Sequence, residues 1–123
     1  MAEVKDRVVL GAGALLAGIA VALGAFGAHA LRHRIGVEAL GWWETGTQYL
    51  MWSALGLVAI SCTGVKGKGA VATLLGGGAI LFAGSLYLMA LTGARWLGAV
   101  TPFGGVAMIA AWAVLAWRAL RQS

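Results

Sequence analysis

The sequence predicts an all-α, polytopic membrane protein folded as an up-down bundle of four transmembrane helices. Composition is the first observation behind this: 61% of the 123 residues are hydrophobic and the mean hydropathy is +0.89, outside the range of a soluble domain of that length. Charge placement is the second. Nine Lys and Arg and four Asp and Glu fall in clusters, and the apolar stretches between them approach the ~20 residues a helix needs to cross ~30 Å of hydrocarbon. Proline usage is the third. Pro102 is the single proline, so no expected span carries an interior proline kink. One integral membrane domain over residues 1–123 is expected, with spans at about 8–31, 45–64, 69–91 and 102–121.

The first span lies between Lys5, Asp6 and Arg7 and the cluster Arg32, His33 and Arg34. Ala28-His29-Ala30 imitates a leader-peptidase site, but the apolar run exceeds the ~7–15 residues of a signal peptide core, so a retained helix is expected. The second and third spans form an antiparallel hairpin about the basic turn Gly64-Val65-Lys66-Gly67-Lys68. For the fourth, Thr101 offers an N-cap hydroxyl and Pro102 a first helical position where its missing N–H costs nothing. Helices also satisfy every backbone group within the bilayer, whereas a transmembrane barrel would need shorter, alternating strands.

Lys5, Arg7, Lys66, Lys68, Arg118 and Arg121 fall on the side of the termini, against Arg32, Arg34 and Arg95 on the other. The positive-inside rule therefore places both termini in the cytoplasm. Trp42, Trp43 and Trp96 are expected to form an aromatic belt at the outer boundary, with Trp112 and Trp117 serving the inner leaflet. The pI near 10.2 fits basic helix ends beside anionic headgroups, and without a basic stripe interleaved with aromatics no nucleic-acid partner is expected.

Small residues recur at four-residue spacing in Ala14, Gly18 and Ala22, in Gly24 and Ala28, and in Gly76, Ile80 and Gly84. Such rows let helices approach closely in lipid, where the hydrophobic drive for association is weak. Packing within the bundle is their expected use, and a homo-oligomer seam the alternative. Gly11, Gly13 and Gly18 are no dinucleotide loop, because Leu16 replaces the third glycine of the motif and no βαβ context surrounds it.

His29, Glu44, Gln48, Tyr49, Arg95 and Thr101 all fall toward the end opposite the termini, and they form the candidate polar site. Glu44 and Gln48 share a helix face, from which Arg95 or a protonated His29 is the expected partner. An isolated carboxylate near hydrocarbon needs a partner or water. His29 and His33 have i,i+4 ligand spacing, but a third ligand would have to come from Glu38 or Glu44, and no metal site or cofactor is expected. Cys62 is the sole cysteine, which excludes an intrachain disulfide and a CxxC site. Ser53, Ser61 and Ser85 have no evident His–Asp partners, so no catalytic residue is assigned.

Four blocks carry a family resemblance: Gly24-Ala25-Phe26-Gly27-Ala28-His29-Ala30-Leu31, Trp43-Glu44-Thr45-Gly46 with Gln48-Tyr49, Phe82-Ala83-Gly84-Ser85-Leu86-Tyr87-Leu88, and Arg95-Trp96-Leu97-Gly98 leading to Thr101-Pro102 and Gly104-Gly105. In this order the chain resembles the small membrane protein family of unknown function number 423. That family comprises YgdD-like bacterial inner-membrane proteins and a eukaryotic relative, transmembrane protein 256. One departure is visible, since Trp52-Ser53-Ala54-Leu55 stands where the family usually has Tyr-His-Ala-Leu. The resemblance implies architecture and a bacterial inner (plasma) membrane location, but no activity.

The expected function is that of a non-enzymatic accessory or interaction component of the membrane, with lipids and a membrane-protein partner or second copy as its contacts. The alternative is a binding or transport module for a small solute, proton or lipid headgroup at the outer polar face.

Overall fold

The protein is described by a computed structural model covering residues 4–122; residues 1–3 and 123 of the expected domain lie outside the described residues. Four long helices account for most of the chain: α1 (Val4–His29), α2 (Val37–Ser61), α3 (Lys68–Thr92) and α4 (Thr101–Arg121). Short 3-10 turns at Leu31–His33 and Arg95–Ala99 precede α2 and α4. Among the described residues, three segments are long and apolar enough to cross a membrane: Lys5–His33, Lys68–Thr92 and Arg95–Arg121. The segment that falls short is α2, whose first half carries Glu38, Glu44 and Gln48.

The α2 helix begins at Val37, eight residues before the expected start of the second span at residue 45. No proline or glycine run interrupts 37–45, and Gly36, in extended backbone conformation, supplies the boundary. Trp42, Trp43 and Glu44 are therefore residues of the helix. At the other hairpin, Gly67 has φ +83°, a left-handed conformation that a residue without Cβ adopts without strain. Gly93, at φ +72°, closes α3 in the same conformation, its N–H bonded to the Met89 carbonyl at 2.8 Å.

Each helix packs on its neighbour in sequence, α1 on α2, α2 on α3 and α3 on α4, whereas α1 and α3 touch only slightly and α1 and α4 share no seam. The two middle helices hold the core, with Leu57, Ile60, Val71, Leu75, Ala79 and Ala83 almost fully buried. Asp6 at the start of α1 meets Lys68 at the start of α3, so α1 and α3 run parallel, and α2 and α4 run in the opposite direction.

The row Ala14, Gly18 and Ala22 does not pack within the bundle as expected but lies on the exposed side of α1. A Cβ built on Gly18 meets nothing within 4 Å. The inward ridge of α1 is offset by roughly a third of a turn, through Val9, Gly13, Ala20 and Gly27. At Gly13 a Cβ would stand 2.8 Å from the Ala54 carbonyl. Gly104 and Gly78 seat α4 on α3 in the same way, a Cβ on Gly104 falling 2.5 Å from the Phe82 backbone nitrogen and 2.6 Å from the Gly78 carbonyl. Glycine at these places sets the distance between helix axes.

Candidate functional site

The end of the bundle away from the termini is built around Trp43. Its side chain is only 3% exposed, which removes it from the expected aromatic belt. The reason is a slot: a Cβ on Gly27 would come within 2.6 Å of Trp43 Cδ1, so the indole occupies the volume that a side chain at 27 would fill. A buried indole N–H needs an acceptor. Trp43 Nε1 donates to the Leu23 carbonyl at 2.8 Å, one turn before Gly27 on the same face of α1.

From Trp43 the contacts continue into α3. The Tyr87 ring lies 4.2 Å from the Trp43 ring centroid, and Phe26 flanks the other side at 5.8 Å. Thr47 Oγ1 donates to the Trp43 carbonyl at 2.9 Å, which uses its single proton. The 2.8 Å contact between Thr47 and Tyr87 is therefore a bond that the Tyr87 hydroxyl donates. Gly46 makes room for this, since a Cβ there would meet Tyr87 Cε1 at 3.2 Å and Ala83 Cα at 3.4 Å.

The network reaches α4 through Ser85 and Thr101, whose hydroxyls are 2.6 Å apart. Either hydroxyl can donate across this seam, since Ser85 has the Phe82 carbonyl at 2.9 Å and Thr101 the Leu97 carbonyl at 3.3 Å as its other acceptor. The expected cap at Thr101 is not formed. Thr101 is already the first residue of α4, Val100 holds the cap position, and no side chain caps the helix; its hydroxyl turns instead toward Ser85 and the Leu97 carbonyl.

The six candidate residues are placed as follows. Arg95 pairs with Glu38 and stacks 5.3 Å above the Trp42 ring, so the cation expected opposite Glu44 is engaged elsewhere. Glu44, Gln48 and His29 are exposed, and among the described residues none has a hydrogen bond, ion pair or ring contact. The chain leaves the α-helix at Ala30, so His29 and His33 do not stand one helical turn apart on a common face. Tyr49 packs against Trp52 and Phe82 and lines a cavity of about 330 Å³ shared with Ser53, Met108 and Trp112. Thr101 belongs to the α3–α4 seam. Among the described residues no side-chain hydrogen bond, ion pair or ring contact joins two of the six. Nor do three or more His, Cys, Asp or Glu side chains among the described residues stand where they could hold a metal ion.

Sequence reasoning misses the Trp43–Thr47–Tyr87 chain: Trp43 and Tyr87 stand in the four blocks, but Thr47 does not. Gly27 and Trp43 stand in two of the four blocks, and a glycine facing an aromatic residue across a seam is a readable packing signal. At position 53, the departure from Tyr-His-Ala-Leu, the serine is buried and donates to Met108 Sδ at 3.3 Å.

The opposite end is held by charge. Asp6 Oδ1 and Lys68 Nζ are 2.6 Å apart, with side chains 20% and 16% exposed. Lys68 also donates to the Thr63 carbonyl at 2.5 Å. Arg118 reaches the Gly67 carbonyl at 2.7 Å, and Gln122 accepts from the Lys66 backbone N–H at 2.9 Å.

Long apolar helices, hydrogen bonds that join them across their seams and charges gathered toward the two ends define a small α-helical membrane protein. A family model described as protein of unknown function (DUF423) matches residues 23–105. UPF0382 membrane protein YwdK of Bacillus subtilis (strain 168) is 46% identical over 114 residues, covering 89% of this chain and 93% of the relative. UPF0382 membrane protein SSP2132 of Staphylococcus saprophyticus is 46% identical over 106 residues, covering 84% and 88%. UPF0382 inner membrane protein YgdD of Escherichia coli (strain K12) is 37% identical over 108 residues, covering 84% and 82%. The chain belongs to the DUF423 family. No solved structure matches it. The matched residues open at Leu23, the acceptor of the Trp43 indole, and close at Gly105, beside the α3–α4 seam.

Proposed function

We propose that this protein is a non-enzymatic interaction component of the bacterial inner membrane, crossing it four times with both termini in the cytoplasm. The observation that carries the interaction role is the outward face of α2, where Glu44 and Gln48 stand one turn apart, exposed and without a partner among the described residues. An unpaired carboxylate and amide facing lipid are unfavourable by several kcal/mol in order of magnitude. A donor on another transmembrane helix relieves that cost, so these two residues mark the seam for a membrane-protein partner or a second copy.

The four-span reading draws support from topology. Because α1 and α3 run parallel and both are apolar enough to cross, the chain between them has to return across the same thickness. With 25 residues, α2 is about 37 Å long. The orientation rests on Lys5, Arg7, Lys66, Lys68, Arg118 and Arg121 at one end against Arg32, Arg34 and Arg95 at the other. The name of the Escherichia coli relative supports the inner-membrane assignment.

Site-directed crosslinking tests the role. With Cys62 replaced by Ser, a Gln48→Cys variant in native membranes is expected to form a discrete crosslinked species that a control on the exposed side of α1, Leu15→Cys, does not form. Monomer alone at native expression, from both positions, would count against the reading.

A further inference from the structure

We propose that the gap between α1 and α3 is a binding site for an anionic phospholipid, its phosphate among the lysines at the terminal end and one acyl chain in the apolar groove beyond. The groove follows from the packing order. Both α1 and α3 lie against α2 but barely touch one another, and Ala12, Gly76 and Gly77 are too small to close the space between them. What remains is a groove of about 500 Å³, walled by Val8, Ala12 and Leu16 on one side and Gly76, Gly77 and Ile80 on the other. A Cβ on Gly77 meets nothing within 4 Å. From Lys5 to Leu16 the wall runs about 16 Å, close to the ~15 Å depth of one hydrocarbon leaflet.

At its terminal end the groove opens into a second cavity of about 390 Å³, with which it shares Lys5, Val9 and Gly69. Among the described residues, three lysines, Lys5, Lys66 and Lys68, line that cavity against a single acid, Asp6. Asp6 is committed to Lys68, and the ammonium groups of Lys5 and Lys66 have no partner among the described residues. The first backbone N–H groups of α3 also lack a side-chain cap and add positive potential at the same mouth. A water-facing cationic cavity continuous with an apolar channel of leaflet depth matches an amphiphile with an anionic head. A free phosphate would satisfy the cavity but leave the groove unused.

The inference rests on α1 and α3 lying in the bilayer and not on the α2 interface, whose crosslinking test has a separate readout. The experiment uses the full chain purified in a neutral detergent and titrated with dioleoyl phosphatidylglycerol, dioleoyl phosphatidylcholine or inorganic phosphate, followed by native mass spectrometry and thermal melting. Retention of phosphatidylglycerol and a raised melting temperature are expected, with little effect from phosphatidylcholine or inorganic phosphate. Gly77→Phe fills the groove from an open position, so it should preserve the unliganded melting temperature while weakening phosphatidylglycerol binding by about tenfold; Ala12→Leu serves the same purpose if that variant does not fold. The pair Lys5→Gln and Lys66→Gln should abolish the preference over phosphatidylcholine. Equal binding of the two lipids would overturn the headgroup assignment. Undiminished phosphatidylglycerol binding in folded groove-filled protein, or inorganic phosphate binding as tightly as the lipid, would overturn the lipid site.

Discussion

The two ends of the bundle are fastened by different chemistry. Around Trp43 the buried cross-helix bonds are between neutral groups and sit beside a glycine, the indole on the Leu23 carbonyl next to Gly27 and Tyr87 on Thr47 next to Gly46, while the Glu38–Arg95 pair lies exposed at the rim. At the terminal end the fastenings are an ion pair and two long polar side chains reaching backbone groups. Neutral bonds in a water-poor seam are short and indifferent to ions, whereas partly exposed charges are screened and rearrange freely. One end is thus fixed by shape and the other by an adjustable electrostatic contact, which suits a rigid head above a mouth open to ions and headgroups.

The largest effect separating the two modes is expected at Gly104. Gly104→Ala puts a Cβ against backbone atoms of Phe82 and Gly78 that cannot step aside, and a loss of about 3 kcal/mol is expected by circular-dichroism melting in detergent. Trp43→Phe keeps an aromatic ring in the Gly27 slot but deletes the donor to Leu23, and it should cost about 1 to 2 kcal/mol with no dependence on salt. Asp6→Asn should cost about 1 kcal/mol at low ionic strength, with the difference from wild type shrinking as salt is added. A salt-dependent loss at Trp43, or a salt-independent one at Asp6, would erase the contrast. Glu38→Gln tests the smallest contribution. Its pair with Arg95 is 61% and 71% exposed, so its removal should change the unfolding free energy by less than the roughly 0.5 kcal/mol that marks an inert surface change.

These expectations also show what a sequence makes visible. The all-helical character, the number of long helices and the basic turn about Gly67 follow from patterns along one chain, charge clusters and apolar runs, whereas the close of α3 at Gly93 comes from the structure. The rotation of one helix against another does not. Arg95 lay within plausible reach of Glu44, yet the α2 start at Val37 brought Glu38 forward as its partner. Ala14, Gly18 and Ala22 have the spacing of a packing ridge, and so does the offset row through Gly13 and Ala20; only the second faces α2. Trp43 was legible as an interfacial aromatic because tryptophan favours that place, and Gly27 overrode the preference by opening a slot one helix away. Of the six candidate residues, Glu44 and Gln48 kept the property that singled them out, polar groups in want of a partner, while Thr101 and Arg95 proved to be engaged within the chain.

The polar first half of α2 also has a consequence for synthesis. Helices partition from the translocation machinery according to their summed transfer free energy, and a central acid weighs heavily against insertion. With Glu44 and Gln48 along its length, α2 is poorly equipped to enter lipid alone. On the four-span reading proposed above, the strongly apolar α3, which follows after a turn of only a few residues, would supply the drive for the pair to enter as a hairpin, and Gly67 the bend. Membrane entry on that reading is a cooperative event, timed by emergence of residue 92 and not by that of α2 itself.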